Sequence, residues 1–191
     1  MITTLHFPKE ECPLPIKKQV LALMKKEWPQ AFVGRDEQSV WNETPEINST
    51  SLVLLIDDLV FSHVSVPWKH ILHEGKTYKV FGFSEVLTHP SYRNQGYGLS
   101  IVKEATTFIE RIHADIGMFT CDPKLVHFYR QCGWAHLEKA CLVGGSREVP
   151  LRSDSFELSV MMKFFSKKAQ ENQRDYVEAD VFLELGEGKL W

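Results

Sequence analysis

The alternation of apolar and polar residues predicts one helix and then three strands in the first half of the chain. Over residues 13–28, apolar side chains recur three or four positions apart and lysines fill the opposite face, which indicates an amphipathic helix. Residues 52–56 and 59–66 are rich in branched apolar residues and are separated by an Asp-Asp pair, so they predict a hairpin. A third strand is predicted over residues 77–88, which completes an antiparallel meander.

The hydrophobic period then changes to that of a helix. Apolar residues from Leu99 to Ile112 fall on one face of a helix that begins near Tyr97. Beyond it the pattern predicts a strand over residues 116–120 and a short helix over residues 123–131, with Asp122 as its N-cap and Gly133 as its stop. Two more strands are predicted over residues 137–143 and 156–164. Because a helix that connects two strands favours a parallel step, this order predicts a mixed α/β or α+β sheet with one parallel β–α–β step in the middle.

Composition and charge restrict the classes of protein to which the chain can belong. Its 191 residues fit one domain with a small appendage, and the net charge of −3 argues against broad binding to nucleic acid. The four cysteines form no CxxC pair, which excludes a zinc-ribbon spacing. Because the sequence has no secretory leader and no apolar run of about 20 residues, we expect a cytoplasmic protein that does not span a membrane.

The segment between the third strand and the long helix has the composition of an anion-binding loop. Pro90 ends the strand, and the sequence RNQGYG, from Arg93 to Gly98, opens the helix. Gly96 and Gly98 allow a positive φ and leave backbone N–H groups uncovered at a helix N-terminus, where Arg93 can add a charge-assisted contact to a phosphate. A Walker loop and a dinucleotide fingerprint are excluded, because no lysine follows Gly98 and the third glycine is missing. Taken alone, the loop therefore predicts either a site suited to a pyrophosphate or a tight turn between a strand and a helix.

Two blocks of the sequence resemble the GNAT superfamily of acyl-CoA-dependent N-acyltransferases. Residues 86–98 (VLTHPSYRNQGYG) are similar to its acetyl-CoA signature, and residues 122–134 (DPKLVHFYRQCGW) to its second block, a helix with Phe-Tyr that ends in Gly and an aromatic residue. The resemblance implies a GNAT-like sheet that is splayed around the parallel step, helices on both faces, and acetyl-CoA as the cofactor. It also implies a set of cofactor-binding residues: Val86, Leu87 and Thr88 at the strand end, Arg93, Asn94, Gln95, Gly96, Tyr97 and Gly98 in the loop, and Asp122, where relatives often have Asn.

Transfer of an acyl group from a thioester to an amine needs a base, a site for the oxyanion and an acid for the leaving thiolate. The resemblance makes Tyr129 the acid and places the oxyanion at main-chain N–H groups near residues 86–88. Glu85 is the candidate base, although strand alternation puts it on the face opposite Ser84 unless a bulge intervenes. His89, next to the loop proline, is an alternative base.

Two further features suggest other chemistry. Cys121 lies at the end of a predicted strand, but it could act as a nucleophile only if a basic neighbour lowered its pKa. His70 and His73 lie three positions apart, which places them on opposite faces of a strand, and no carboxylate-rich set accompanies them. We therefore expect no metal site, and direct transfer in a ternary complex explains the motifs without a covalent intermediate.

The C-terminal segment, residues 166–191, is acidic, includes a predicted strand over residues 180–183 and ends at Trp191. We expect it to pack on an N-acyltransferase domain formed by residues 1–165. An acidic segment with a terminal tryptophan is similar to aminoglycoside 2′-N-acetyltransferases, which implies a small cationic amine as the acceptor, with Ser84 and Trp191 among the residues that bind it.

Three functions stay open at this point. The first is acetylation of a primary amine on a small cationic molecule of the aminoglycoside or polyamine kind. The second is N-acetylation of a peptide or protein, which needs an open groove beside the cofactor. The third is CoA binding by a non-catalytic regulatory module that keeps the fold. The resemblance also implies a homodimer as one assembly, because many relatives form one.

Overall fold

The structure, a computed structural model, describes residues 1–41 and 48–191. Its strands are β1 (Ile2–Pro8), β2 (Asn48–Ile56), β3 (Leu59–His73), β4 (Lys76–Phe81), β5 (Ser84–Thr88), β6 (Ile116–Cys121), β7 (Ala135–His136), β8 (Cys141–Gly145), β9 (Pro150–Arg152), β10 (Ser159–Phe164) and β11 (Asp180–Phe182). Its α-helices are α1 (Leu14–Glu27), α2 (Glu37–Trp41), α3 (Tyr97–Arg111), α4 (Val126–Arg130) and α5 (Lys167–Glu171). Most strand pairs are antiparallel and one pair in the main sheet is parallel, so the predicted mixed α+β fold is confirmed.

Contacts divide the chain into two units, Met1–Pro67 with Ser84–Ala105, and Trp68–Phe83 with Thr106–Trp191. Strand β3 and helix α3 each run from one unit into the other. The predicted boundary between residues 165 and 166 stays a prediction.

In the first unit, α1 confirms the predicted amphipathic helix. Pro13 immediately precedes it, at a position where a missing N–H group costs no helical hydrogen bond. Val20 and Met24 are buried, and they pack in one apolar cluster with Trp41 of α2 and Leu87 of β5. This cluster fixes α1 beside the strand that leads into the loop from Arg93 to Gly98.

The predicted hairpin is present as β2 and β3, but β3 continues past the predicted end at residue 66 to His73. It is longer because its second half has a partner of its own, with Trp68 opposite Phe81 in β4. Strand β1, which no sequence pattern predicts, pairs antiparallel with β2 along its whole length. Its residues are mostly exposed, so they carry no hydrophobic alternation that would indicate a strand.

The third predicted strand, over residues 77–88, is wrong as a single element. Gly82 and Phe83 separate it into β4 and β5. β4 pairs with the second half of β3 and runs parallel to β6, whereas β5 pairs with the first half of β3. The indole of Trp191 packs on Gly82 so closely that a Cβ there would lie 2.7 Å from its Cε3 atom. This close approach explains why glycine stands at the break.

The second unit contains the predicted parallel step, with Val80 opposite Ile116 in the β4–β6 pair. β10 pairs antiparallel with β6, and β7 pairs antiparallel with β10. The Trp134 ring packs on Gly117 of β6, and its Nε1 donates to Oγ1 of Thr106 at 3.0 Å. The buried indole is therefore both packed and hydrogen-bonded, as a fully desolvated tryptophan requires.

Two strands predicted in the second half begin later than expected. In the first, a turn occupies the early part of residues 137–143, and β8 begins only at Cys141. In the second, a 3-10 turn precedes β10, which begins at Ser159 rather than at residue 156. β8 also forms a separate sheet in the order β11-β8-β9. The predicted strand at residues 180–183 is confirmed as β11, which pairs in parallel with β8.

Candidate functional site

The loop between β5 and α3 has the backbone of an anion site. Asn94 and Gly96 have φ angles of 61° and 83°, which glycine adopts freely and asparagine tolerates better than most residues. The helix that follows starts at Tyr97, and Gly98 lies in its first turn rather than in the left-handed region. Tyr97 packs edge-on against Phe61 of β3, with ring centroids 5.0 Å apart. The N-terminus of a 15-residue helix thus follows directly on exposed residues 93–96, the arrangement in which backbone N–H groups commonly bind an anion.

Arg93 and Gln95 make contacts that hold this loop in place. Nε of Arg93 donates to the carbonyl oxygen of Thr88 at 2.9 Å, and its Nη2 pairs with the carboxylate of Glu27 in α1. Nε2 of Gln95 donates to the carbonyl oxygen of Ser91 at 3.0 Å. Arg93 and Glu27 are both partly exposed, at 42% and 36% of their side chains, so a phosphate could take the place of the carboxylate without entering a closed space.

A bulge lies in β5, at the candidate base. His63 of β3 is opposite Leu87 and Ser65 is opposite Ser84, so that Glu85 and Val86 share a single residue on the partner strand. Glu85 has a φ of 53°, a value that a non-glycine residue rarely takes. Simple alternation from Ser84 therefore does not hold through this strand, which removes the argument from alternation against Glu85.

The carboxylate of Glu85 binds the ammonium group of Lys9. Nζ of Lys9 lies 2.9 Å from one carboxylate oxygen and 3.2 Å from the other, and only 15% and 11% of the two side chains are exposed. The same Nζ lies 5.1 Å from the centre of the Trp41 ring, within the range of a cation–π contact. The indole Nε1 of Trp41 donates to the carbonyl oxygen of Lys9 at 3.0 Å, which fixes the backbone from which the lysine side chain extends.

A buried histidine supports the bulge from below. Nδ1 of His63 lies 3.2 Å from the carbonyl oxygen of Glu85, and its Nε2 lies 3.1 Å from Oγ of Ser51. Since a carbonyl can only accept, Nδ1 carries the proton, and Nε2 then accepts from the serine hydroxyl. Burial, together with the smaller effect of the nearby Lys9 charge, lowers the pKa of His63 to about 3. The imidazole is therefore neutral and holds the Glu85 backbone through one defined hydrogen bond.

The end of β5 and the last turn of α1 line a small groove in the first unit: Leu23, Lys26, Glu27, Leu87, Thr88, His89 and Pro90. Oγ of Ser62 lies 2.9 Å from both the carbonyl oxygen of Leu87 and Oγ1 of Thr88. His89 caps the following 3-10 turn, because its Nδ1 accepts from the N–H of Ser91 at 3.2 Å. A nitrogen engaged as a cap is a poor base, so His89 gains no support as the alternative base.

In the second unit, the candidate acid Tyr129 is almost fully buried in α4. Its ring packs edge-on against Phe119 and Phe128, with centroids 4.7 Å and 5.0 Å apart. Burial raises the pKa of the Tyr129 phenol above its ordinary value, and the thiol groups of Cys121 and Cys132 raise it further. The phenol is therefore protonated at neutral pH, which is the state that a proton donor requires. Its catalytic role stays a prediction.

Asp122 caps the helical segment of the second block, as predicted. Its side chain accepts from the N–H of Lys124 at 2.9 Å. Burial, together with the smaller effect of the Asp122 charge, raises the pKa of the neighbouring Cys121 to about 11. A thiol with a raised pKa is a poor nucleophile, so the covalent alternative gains no support.

The predicted acceptor residues lie in different parts of the chain. Ser84 pairs with Ser65 at the start of β5 in the first unit. Trp191 is buried in the second unit, where the N–H of Thr120 donates to its carbonyl oxygen at 2.9 Å. Their role in binding an acceptor stays a prediction.

The acidic residues of the C-terminal segment are largely paired. Four ion pairs connect it to basic residues of the second unit: Asp175–Lys76, Glu178–Lys139, Asp180–Arg152 and Glu184–Arg147. These pairs neutralise much of the negative charge that the segment would otherwise offer to a cationic acceptor.

Sequence reasoning missed Lys9, Trp41, His63 and Glu27. Lys9 is 76 positions from Glu85, and neither residue belongs to a repeating pattern that would connect them. One signal was available in the sequence. Ser62 and His63 are adjacent polar residues in the apolar first half of β3, and such a pair could have indicated a polar network beneath the bulge. Among residues 1–41 and 48–191, no three His, Cys, Asp or Glu side chains cluster as metal ligands would. In the same part of the chain no helix has both the length and the apolar character of a membrane span.

The sequence model of the acetyltransferase (GNAT) domain matches residues 15–137. The chain belongs to this family. The matched range contains the bulge at Glu85, the loop from Arg93 to Gly98, and Tyr129, so the candidate residues of both units fall within the GNAT domain. As a member of this family, the chain is an acyltransferase that depends on acetyl-CoA. No curated protein matches its sequence.

Solved structures of GNAT proteins share the fold. The N-acetyltransferase YhbS of Escherichia coli, in complex with CoA, is 15% identical with a TM-score of 0.60, over 96% of this chain and 91% of that one. An aminoglycoside 6′-N-acetyltransferase complexed with coenzyme A is 11% identical with a TM-score of 0.58, over 87% and 97%. A probable N-acyltransferase of Enterococcus faecalis V583 is 20% identical with a TM-score of 0.57, over 74% of this GNAT chain but only 33% of that protein. The chain thus spans about a third of that last relative's length.

Proposed function

We propose that this GNAT enzyme transfers the acetyl group of acetyl-CoA to a primary amine of a small cationic molecule, by direct attack in a ternary complex. The observation that carries the proposal is that the Glu85 carboxylate already binds an alkylammonium group, that of Lys9. Glu85 lies near the start of β5, the strand that leads to the loop from Arg93 to Gly98. A carboxylate that binds one primary ammonium can bind another and accept its proton.

The cofactor residues fit a CoA pyrophosphate. The backbone N–H groups of the loop, with Asn94 and Gly96 at positive φ, would bind the phosphate oxygens, and Arg93 would exchange its contact with Glu27 for one with a phosphate. Gln95, Tyr97 and Gly98 complete the loop. When bound, acetyl-CoA supplies the thioester.

The remaining roles follow from the chemistry of acyl transfer. Glu85 would accept the first proton from the acceptor ammonium and so free the nitrogen lone pair for the thioester that acetyl-CoA supplies. Transfer would replace the C–S bond of the thioester with an N–C bond, and the second proton that the nitrogen loses would replace the one that Tyr129 donates. Backbone N–H groups near Val86, Leu87 and Thr88 stabilise the oxyanion, and Tyr129 donates the proton that converts the leaving thiolate to a thiol. The products are an N-acetyl amide and free CoA. Asp122, Ser84 and Trp191 are proposed to contact the cofactor arm and the acceptor.

The cationic character of the acceptor rests on the Glu85 carboxylate and the Trp41 ring rather than on the acidic C-terminal segment, whose charges are largely paired. One solved relative with the same fold is an aminoglycoside 6′-N-acetyltransferase complexed with coenzyme A, and an acceptor of that kind is in keeping with the proposal.

Two measurements test the proposal in order. In the first, acetyl-CoA should raise the melting temperature of the chain, whereas ATP and NAD at the same concentration should not. In the second, release of free CoA thiol is measured with aminoglycosides, polyamines and peptides as acceptors. Turnover with polycationic small molecules supports the proposal. Turnover with peptides alone would replace it with protein N-acetylation, and acetyl-CoA binding without any turnover would indicate a non-catalytic CoA-binding module.

A further inference from the structure

The ion pair between Lys9 and Glu85 poses a problem for catalysis. Lys9 contacts both oxygens of the carboxylate, and only 11% of the Glu85 side chain is exposed. While Lys9 is bound there, the carboxylate is neither free to accept a proton from another amine nor open to an incoming ammonium group. A base in this position can act only after the lysine side chain has moved away.

We propose that Lys9 is an internal competitor of the acceptor, and that Glu85 and Trp41 form a subsite for a primary alkylammonium group, which the ammonium group of Lys9 occupies when the acceptor is absent. The proposal rests on the function proposed above and names the group on the acceptor that the enzyme selects. The side chain of Lys9 ends in the same chemical group as a primary-amine acceptor. Displacement therefore exchanges one charge-assisted hydrogen bond for another of the same kind.

The surroundings of the pair favour such an exchange. Trp41 provides a second contact for any cation at this point, because the face of an indole attracts ammonium groups and the ring is held in the core. The backbone of Lys9 is fixed independently through its carbonyl oxygen, which accepts from Trp41 Nε1. The side chain can therefore leave without moving the segment that carries it.

Glu85 keeps its position when Lys9 departs, because its backbone is held from the other side. Nδ1 of His63 donates to the carbonyl oxygen of Glu85, and Oγ of Ser51 fixes the ring of His63. The carboxylate is thus presented by a bulge that does not depend on the lysine. When no acceptor is bound, Lys9 therefore covers the Glu85 carboxylate. Binding of the acceptor amine displaces Lys9 and makes the carboxylate accessible.

Lys17 offers a matched control. Its Nζ lies 5.4 Å from the same Trp41 ring, but its hydrogen bond goes to Oε1 of Gln38, a neutral amide, at 2.6 Å. A lysine near the same aromatic ring but away from the carboxylate separates the effect of competition at Glu85 from a general effect of losing a positive charge.

The first test compares KM and kcat for spermidine in the Lys9→Met, Lys9→Arg and Lys17→Met variants. We expect Lys9→Met to lower KM about tenfold, which equals about 1.4 kcal/mol of binding free energy, because the competitor is gone. Lys9→Arg retains a cation and should keep a KM near that of the wild type, and Lys17→Met should leave both constants unchanged. An unchanged or higher KM in folded Lys9→Met overturns the inference.

A second test uses the wild-type sequence and does not depend on turnover or on the stability of Lys9→Met. Reductive methylation with 13C-formaldehyde labels the lysines and preserves their charge, and Lys9→Arg assigns the Lys9 signal. In the presence of CoA, n-butylammonium chloride should shift the Lys9 dimethyl resonance in a saturable manner and leave that of Lys17 in place. No saturable shift of Lys9, or equal shifts of both, contradicts the inference. A saturable shift without acetylation of any amine would contradict the proposed function alone.

Discussion

At the residue scale, the feature that most needs a physical explanation is the largely buried ion pair between the ammonium group of Lys9 and the carboxylate of Glu85. Charged side chains are rarely buried unless they are paired, because each loses its hydration. Lys9 and Glu85 meet this condition through two short contacts. The positive φ of Glu85 adds local strain, and such strain persists only where its surroundings enforce it. Functional sites are where both kinds of cost are most often found, which supports Glu85 as a site residue.

His63 leads to a prediction about stability and pH. Its pKa falls from 6.5 to about 3 on folding, so between these values the unfolded chain binds the proton and the folded chain does not. The contribution of His63 is complete above pH 6.5 and is lost as the pH falls below it. We expect the free energy of unfolding to drop by about 2 kcal/mol between pH 7.5 and pH 5 from this group alone. Urea titrations at both values measure it.

The control for this prediction is His63→Gln, which removes the titrating ring and keeps an amide at the site. The variant should be less stable at pH 7.5, because a buried hydrogen-bond network is disturbed. In this variant, the drop of about 2 kcal/mol in the free energy of unfolding between pH 7.5 and pH 5 that His63 causes in the wild type should be absent. The same loss of stability with falling pH in wild type and variant would mean that His63 is not the group responsible.

Tyr129 supports a prediction about catalysis. Replacement by Phe removes only the hydroxyl group, and if this group protonates the leaving thiolate, kcat should fall by about 10² to 10⁴ with little change in the affinity for acetyl-CoA. Tyr78→Phe is the matched control, because the hydroxyl of Tyr78 is buried and has no hydrogen-bond partner among the residues that the structure describes. Steady-state thiol release measures both variants. Equal activity of the two would remove Tyr129 from the acid role.

At the element scale, the loop between β5 and α3 brings together three local properties: a strand end, a positive φ at two positions and a helix N-terminus. Each is weak as evidence when taken alone. A loop with these three properties can present successive N–H groups to one anion, which is what a pyrophosphate needs. Arg93 bridges from this loop to Glu27 of α1, so cofactor binding would also release the end of that helix.

Gly96→Ala tests the loop, and Gly34→Ala is its control. Both glycines have a positive φ, 83° and 69°. In both cases, apart from the glycine and its two chain neighbours, no atom of residues 1–41 and 48–191 lies within 4 Å of the Cβ that alanine would add. Each substitution should therefore cost about 1 kcal/mol of stability through backbone strain alone. Only Gly96→Ala should weaken acetyl-CoA binding, by about tenfold, because the cradle must change shape. Calorimetric titration measures the affinities, and equal affinities in the two variants would argue against the loop as the phosphate site.

At the scale of the whole molecule, local features could be predicted from the sequence and distant contacts could not. The amphipathic α1, the N-cap at Asp122 and the positive φ at Gly96 each depend on residues close together in the chain, so their patterns predict them. The division of residues 77–88 into β4 and β5 depends instead on which partner each half finds, and the bulge at Glu85 puts a non-glycine residue at a positive φ that no pattern predicts. The contact between Lys9 and Glu85 joins the N-terminal segment to β5, and only the folded chain shows it.

The central claim is that this GNAT chain forms an amide from acetyl-CoA and a primary amine. Mass spectrometry of the reaction with spermidine measures this most directly. The control is spermidine methylated until all three nitrogens are tertiary amines, because a neutral tertiary amine has no N–H to lose and cannot form a neutral amide. We predict N-acetylspermidine and free CoA in equal amounts with the primary amine, and neither product above background with the control. Equal CoA release from both, which would mean hydrolysis of the thioester rather than transfer, would contradict the claim.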